Sequence, residues 1–342
     1  MTKYVLTGAT GNLGSRVLKH MLNIVKDTDE IVVSLYNPSG AGPFITDLSR
    51  QSKITVRQGD FAKSDSLRDV FRGADKLLIV SYPSMAHQIR VDRHLAAIDA
   101  AIAANREEGA GRKLHLYYTS LAFQVEDAEK EPHSQEVFKP EVMKAHLDTE
   151  AHLKKVAEEN SNFTYTSIRE GIYNESYPLY FGYFDPSEGK DDVVVPLPYG
   201  DGGIAFACWE DLAEGTAKIM TADSGYENKT VTLTGAEAVT LSEIAEQISS
   251  ILPGNRHLTV KAVDLEHFVT SKQTASRDED LLRKWSTTYT AIGLKQLAKV
   301  NPLLEELLGR KPKPLDETLR EMLGVGGSGG AEETSRYSRT TA

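Results

Sequence analysis

The sequence predicts an α/β protein built on a Rossmann-type, doubly wound parallel sheet of the short-chain dehydrogenase kind. Three observations carry that prediction. Strand and helix signals alternate through the first half of the chain, the pattern of βαβ units. A glycine-spaced turn, Thr7-Gly8-Ala9-Thr10-Gly11-Asn12-Leu13-Gly14, joins the first strand to the first helix. Leu77-Leu78-Ile79-Val80 is apolar throughout, as a central parallel strand buried on both faces must be.

Each element follows from its own pattern. Tyr4-Val5-Leu6 is a short buried strand ending at glycine, and Leu13, Val17, Leu18, Met21, Leu22 and Val25 then recur as on one helix face. Ile31 to Leu35 and Ile54 to Arg57 are the second and third strands. Ser64 is placed to cap a helix that runs through Phe71 and stops at Gly73. After the fourth strand, His87 to Asn105 reads as a long helix and Leu114 to Thr119 as the fifth strand. Glu126 to Pro140 is polar and reads as a surface loop. Glu141 to Asn160 is the next helix, and Phe163 to Ile168 the sixth strand. The Rossmann domain is therefore expected over residues 1–170.

A smaller C-terminal α/β lobe is expected over residues 171–323, not strictly contiguous with it in space. Gly and Pro punctuate residues 182–203. Asp211 to Ala222, Leu241 to Leu252 and the pairs Leu303-Leu304 and Leu307-Leu308 read as helices, and Val231 to Thr234 as a strand. Residues 324–342, beginning Gly-Val-Gly-Gly-Ser-Gly-Gly, have little to bury and read as a disordered tail.

Composition narrows the function classes. The formal net charge is −10 with no long basic block, which disfavours direct nucleic-acid binding. A single cysteine, Cys208, excludes an internal disulfide framework and a cysteine-built zinc site. No apolar run reaches the ~20 residues of a membrane span. The N-terminus lacks a signal-peptide pattern, so the chain reads as cytoplasmic.

The glycine turn carries a specific chemistry. Gly8 allows a tight strand-to-helix turn, Gly11 lets the backbone approach a pyrophosphate, and Gly14 lets the helix pack closely. The helix start then offers N–H groups and a dipole to the phosphates. At the end of the second strand, where an acid selects NAD and a basic residue NADP, the sequence has Tyr36-Asn37-Pro38-Ser39, neither one. Arg16 is placed either to approach a 2′-phosphate or to remain a solvated surface residue. After the third strand, Asp60 is suited to accept from an adenine amino group, with Phe61 flanking the ring; a plain loop cap explains Asp60 equally well.

An ordered run of motifs then carries a resemblance. The glycine turn, Gly59-Asp60, Tyr118-Thr119-Ser120, His146-Leu147-Asp148-Thr149-Glu150 and Ile168-Arg169-Glu170-Gly171-Ile172-Tyr173 resemble the NmrA-like family of atypical short-chain dehydrogenases, and within it the type 2 NAD(P)H:quinone oxidoreductases. It continues through Ala205 to Met220, Leu233-Thr234-Gly235 and Leu307 to Pro312, so it spans nearly all of the chain expected to be ordered. The resemblance implies a substrate cleft between the two lobes and an NADP or NAD cofactor, NADPH being the family's usual choice. It implies cofactor contacts at Gly8, Thr10, Gly11, Asn12, Leu13 and Gly14, at Ser81, Tyr82 and Pro83, and at Thr119. It sets Ser120 and His146 beside the nicotinamide and Tyr173 and Asn174 near the substrate. Tyr36 stands where the family often carries Arg.

The residues also show which chemistry is missing. None of the 14 tyrosines has Lys at the fourth following position, so the dyad of ordinary short-chain dehydrogenases is absent. A quinone, driven by aromatisation, needs positioning more than a strong protein acid, because the cofactor carries the difficult step. His146 is a candidate to donate a proton or hold the carboxamide; a local pair with Glu150 one turn on is the bland alternative. Ser120 lacks the G-x-S-x-G elbow of a hydrolase. His146 and His152 fall on different helix faces, and no metal site is expected. Tyr177, Tyr180, Phe181, Tyr183 and Phe184 form a cluster that serves either core packing or the lining for a flat aromatic substrate.

The expected function is thus NAD(P)H-dependent reduction of a quinone or related conjugated carbonyl, with His146, Ser120 and Tyr173 at the reaction and Tyr173, Asn174 and Tyr177 at a small, flat, conjugated substrate. Two alternatives stand beside it: a redox-sensing regulator that binds NAD(P) without catalysis, and a natural-product reductase or isomerase. A homodimer is one option among assemblies that the sequence does not distinguish.

Overall fold

The computed structural model describes residues 1–109, 111–124, 138–185, 189 and 191–323. Most of the expected polar loop at Glu126–Pro140 and the whole expected tail from residue 324 lie outside the described residues. The chain divides into two compact units. The first gathers Met1–Leu121, Ala145–Glu170 and Leu212–Thr232; the second gathers Ala122–Lys144, Gly171–Asp211 and the chain from Leu233 onward.

The first unit alternates β1 (Lys3–Thr7), α1 (Asn12–Ile24), β2 (Glu30–Leu35), α2 (Gly42–Arg50), β3 (Thr55–Gln58), α3 (Ser64–Phe71), β4 (Lys76–Ile79), α4 (His87–Glu107), β5 (Leu114–Leu121), α5 (Glu141–Glu159, in this unit from Ala145 onward) and β6 (Phe163–Glu170). The second contains β7 (Ile172–Tyr173), α6 (Tyr177–Tyr180), β8 (Asp192–Val195) and β9 (Phe206–Ala207). The chain then returns through α7 (Trp209–Thr221) to the first unit, where β10 (Lys229–Leu233) completes the sheet. The second unit ends with α8 (Leu241–Ile251), β11 (Thr259–Ala262), α9 (Leu265–Thr270), α10 (Glu279–Gly293), α11 (Leu303–Leu308) and α12 (Leu315–Leu323).

The large sheet has seven strands in the order β10-β6-β5-β4-β1-β2-β3. The pairs β1–β2, β1–β4, β2–β3, β4–β5 and β5–β6 are all parallel. Strand order reverses between β1 and β4, which is the switch point where open α/β sheets bind ligands. The apolar run read as a central strand behaves as one: Leu77, Leu78 and Ile79 are fully buried, each contributing ~2 kcal/mol of burial. Ala97, Ala100, Ala101 and Ala104 give α4 a small-residue face within the core that includes Leu77, Ile79 and Leu116.

The structure departs from expectation in two places. The strand expected near Val231 belongs to the first sheet, so residues after 170 re-enter the Rossmann unit instead of staying in the C-terminal lobe. Ser64 is the first residue of α3, not its cap; the capping position is Lys63, with no side-chain cap. Of the two readings of the aromatic run, the structure shows the packed interior: Tyr177, Tyr180, Phe181, Tyr183 and Phe184 are all buried, with Tyr180 edge-on to Trp285 at 5.0 Å.

Candidate cofactor and active site

The glycine loop is shaped by close backbone approach. Gly8 adopts φ +70°, in the left-handed region. A Cβ on Gly14 would run into the Gly8 carbonyl oxygen, so α1 can start this close to the strand only with glycine there. Gly11 is different. Its φ is −84°, it is exposed, and a Cβ there would meet only Gly8 O, at 3.3 Å. The fold itself therefore tolerates a side chain at 11, and the face that side chain would fill is the open face of the loop. Gly11 is also the N-terminal residue capping α1, where no side chain caps the helix and no acid stands in the first turn. An open main-chain cradle at an uncapped helix start fits a pyrophosphate. Thr10 and Asn12 are exposed on the same loop, whereas Leu13 is buried beneath it.

Across the switch point, the chain leaving β4 is held by threonines of the two flanking strands. Val80 N–H donates to Thr7 Oγ1 at 3.0 Å, and Ser81 N–H to Thr119 Oγ1 at 2.9 Å. This places Ser81, Tyr82 and the exposed Pro83 at the carboxyl edge of the sheet. The Tyr82 ring lies 5.8 Å from that of Phe61.

At the ends of β2 and β3, Tyr36, Asn37, Gln58, Asp60, Lys63 and Ser66 line a recess of about 350 Å³. Asp60 caps its own loop, accepting from Ala62 N–H at 2.8 Å, and its other oxygen stands 4.0 Å from Lys63 Nζ. Tyr36 is 73% exposed, and its carbonyl accepts from Gln58. The cation of this recess is Lys63, which the sequence reading did not single out. Arg16 donates to Asn12 O on its own helix.

His146 does not pair with Glu150. That carboxylate is taken by Arg169, whose Nε and Nη2 donate to its two oxygens at 3.0 and 2.5 Å, and by Ser167 Oγ at 2.9 Å. His146 instead turns Nδ1 to the Tyr118 hydroxyl at 2.8 Å. Tyr118 Oη also lies 3.2 Å from Nδ1 of His94, whose Nε2 accepts from Tyr82 N–H at 2.8 Å. All three rings are essentially solvent-free. Burial, followed by the nearby Arg90, lowers the His94 pKa to about 3. Burial, then Arg90, His94 and Arg169, holds His146 well below the ordinary histidine range. His146 Nε2 and Ser120 Oγ are both buried and have no partner among the described residues. Strand alternation sets Ser120 on the same face of β5 as Tyr118, one step nearer the carboxyl end.

In the second unit, Tyr173 ends β7 with its ring 5.9 Å from Trp209. Asn174 is fully buried, and its amide nitrogen donates to Thr318 Oγ1 at 2.9 Å and to Lys313 O at 3.3 Å, anchoring the start of α12. Tyr177 is fully buried against Phe181. Asp211 accepts from Arg310 Nη2 at 2.7 Å and from Lys313 N–H at 2.5 Å, which gives the Gly309-Arg310-Lys311-Pro312 motif a structural use. Among the described residues no cluster of His, Cys, Asp or Glu could hold a metal ion, and no helix is long and apolar enough to cross a membrane.

Sheet order, switch point and phosphate cradle define a Rossmann-type α/β protein of the dinucleotide-binding class. The chain belongs to the NmrA-like family, whose model matches residues 1–302. It is 28% identical over 334 residues to an NmrA-like family domain-containing oxidoreductase of Aspergillus flavus, covering 94% of this chain and 95% of that one. Among solved structures, the NADPH-dependent quinone oxidoreductase of Escherichia coli complexed with NADPH superposes with a TM-score of 0.73 at 26% identity, covering 92% of this chain and 98% of that one. The triphenylmethane reductase of Citrobacter sp. complexed with NADP(H) gives 0.72 at 26% identity, covering 93% and 99%.

Proposed function

We propose that this protein is an NAD(P)H-dependent oxidoreductase that reduces a quinone or a related conjugated carbonyl. The observation that carries the reading is the pair of buried, unpartnered polar atoms, Ser120 Oγ and His146 Nε2, at the carboxyl side of the sheet that also bears the phosphate cradle. Leaving two such atoms dry costs ~1–3 kcal/mol each, a cost that a bound ligand removes. The named oxidoreductases and reductases among the relatives support the same reading.

When bound, a nicotinamide cofactor supplies the hydride. The Gly8–Gly14 loop and the start of α1 hold its pyrophosphate, and the recess at Tyr36, Asp60 and Lys63 takes the adenosine end. Ser120 and His146 give hydrogen bonds to an oxygen at the reacting end. With its pKa so depressed, His146 is neutral and holds that oxygen without passing it a proton. A quinone suits such a site, because it accepts hydride without a strong protein acid. Tyr173, and with it Asn174 and Tyr177 as framework, belongs to the substrate side in this reading.

The test is His146→Ala. Loss of one preorganised donor lowers kcat by ~10²-fold while leaving dinucleotide affinity nearly unchanged. Turnover at the native rate removes His146 from the reaction.

A further inference from the structure

We propose that His94 and Tyr118 are positioning residues that fix His146 in its Nε2–H tautomer, so that the buried ring presents one hydrogen-bond donor and never a bare nitrogen at the reacting end. The proposal deepens the functional reading above and rests on it for the meaning of the donor, but the proton assignment stands on the geometry of the first unit alone.

The chain of protons starts at a group whose direction is not negotiable. A main-chain N–H only donates, so Tyr82 N–H at 2.8 Å makes His94 Nε2 the acceptor. A neutral imidazole then carries its hydrogen on Nδ1, and burial keeps His94 neutral. That N–H faces two oxygens, Thr149 Oγ1 at 2.9 Å and Tyr118 Oη at 3.2 Å. Thr149 spends its own hydrogen on Ala145 O at 2.7 Å, so its oxygen accepts from His94. Tyr118 can give no hydrogen to a His94 nitrogen that already bears one. Its hydroxyl donates the other way, to His146 Nδ1 at 2.8 Å. The phenol is fully buried, with its pKa pushed up by burial, so it stays a donor and does not ionise. His146 Nδ1 is then the lone-pair nitrogen, and the hydrogen sits on Nε2, the atom left without a partner. The charged and titratable groups around this relay are Arg90, Arg169 and Glu150. Arg90 is directed to Ser81 Oγ and Glu150 to Arg169, so neither offers His146 Nδ1 an alternative.

The experiment is nitrogen-detected NMR of the folded protein labelled with ¹⁵N-histidine, the His146 signals being assigned by their loss in His146→Gln. The proposal expects an unprotonated Nδ1 and a protonated Nε2 on His146, and the reverse pattern on His94, unchanged between pH 6 and 8. A protonated Nδ1 on His146, or an imidazolium forming in that range, overturns it. Tyr118→Phe supplies the second arm. Mixed tautomers on His146, with kcat lowered ~10-fold and cofactor affinity held, are expected from losing one hydrogen bond that sets the donor. A single, unchanged tautomer in the folded Phe variant overturns the role of Tyr118. The outcomes separate from those of the functional reading: a fixed Nε2–H tautomer together with full activity in His146→Ala would leave the relay standing and remove the catalytic assignment.

Discussion

Glu150 on α5 is clasped by Arg169 on β6 through a two-point ion pair, with the Arg169 side chain 5% exposed and that of Glu150 11%. The pair joins helix to sheet beneath the face that carries His146. Because Glu150 serves Arg169, the imidazole one helical turn earlier is left to the buried relay.

Removing one partner from such a pair strands the other charge away from water. Glu150→Ala is expected to cost ~3–5 kcal/mol of unfolding free energy, whereas Glu150→Gln retains the hydrogen bonds in part and costs less. Denaturant unfolding checks both; equal, small effects would show that the pair is incidental to the helix–sheet contact.

Two buried histidines, His94 and His146, and the half-buried His115 set a pH dependence of stability. His94 is lowered to about 3 and His115 to about 4, each mainly by burial, and His146 is lowered well below the usual value by the same cause. In the unfolded chain each takes up a proton near pH 6.5, while the folded protein does not. The unfolded state therefore binds more protons as pH falls below 6.5, and stability drops in that direction. Between pH 7 and 5 the loss is ~2 kcal/mol for each of His94 and His115, and His146 adds to it in the same direction. Thermal unfolding at a series of pH values reads it; a midpoint that rises on acidification contradicts the buried, neutral assignment.

Gly11 and Gly14 separate cradle from packing. Gly11→Val is expected to fold, because its Cβ meets only one main-chain oxygen at 3.3 Å, and to lose dinucleotide affinity. Gly14→Ala drives a methyl into the Gly8 carbonyl and is expected to lower Tm. Normal dinucleotide binding by a folded Gly11→Val protein would sink the phosphate-loop assignment.

Lys63 is expected to tune the choice between NADPH and NADH. It is the cation among the residues lining the recess at the ends of β2 and β3, where Tyr36 supplies no charge. Lys63→Ala should weaken NADPH ~5-fold and leave NADH nearly unchanged, the worth of one exposed charge on a 2′-phosphate. Equal effects on both dinucleotides would assign Lys63 to the loop alone.

The fold was legible wherever backbone geometry dictates residue type. α3 over Ser64–Phe71 and the apolar β4 were read nearly to the residue. The glycine loop could be read because no other residue fits at Gly8 and Gly14. α2, opened by Gly42-Pro43 and buried only at Ile45 and Leu48, was too short to declare a period. The two-residue strands β7 and β9 exist only through each other. Within the site, His146 was visible through its motif, whereas His94 was not: its meaning comes from Thr149, 55 residues away, and from a main-chain N–H that no side-chain pattern reveals. Likewise Glu150 looked like a partner for His146 because one helical turn is visible in sequence and the facing strand is not.

The most direct test of the central claim is calorimetric titration of the purified protein with NADPH, NADH, NADP⁺ and NAD⁺, followed by a panel of quinones with whichever reduced form binds. The account predicts tight binding of a reduced dinucleotide and its quinone-dependent oxidation, slowed ~10²-fold in His146→Ala with binding intact. Binding that distinguishes oxidised from reduced forms, with no turnover on any acceptor, would contradict the enzyme and make the protein a redox sensor.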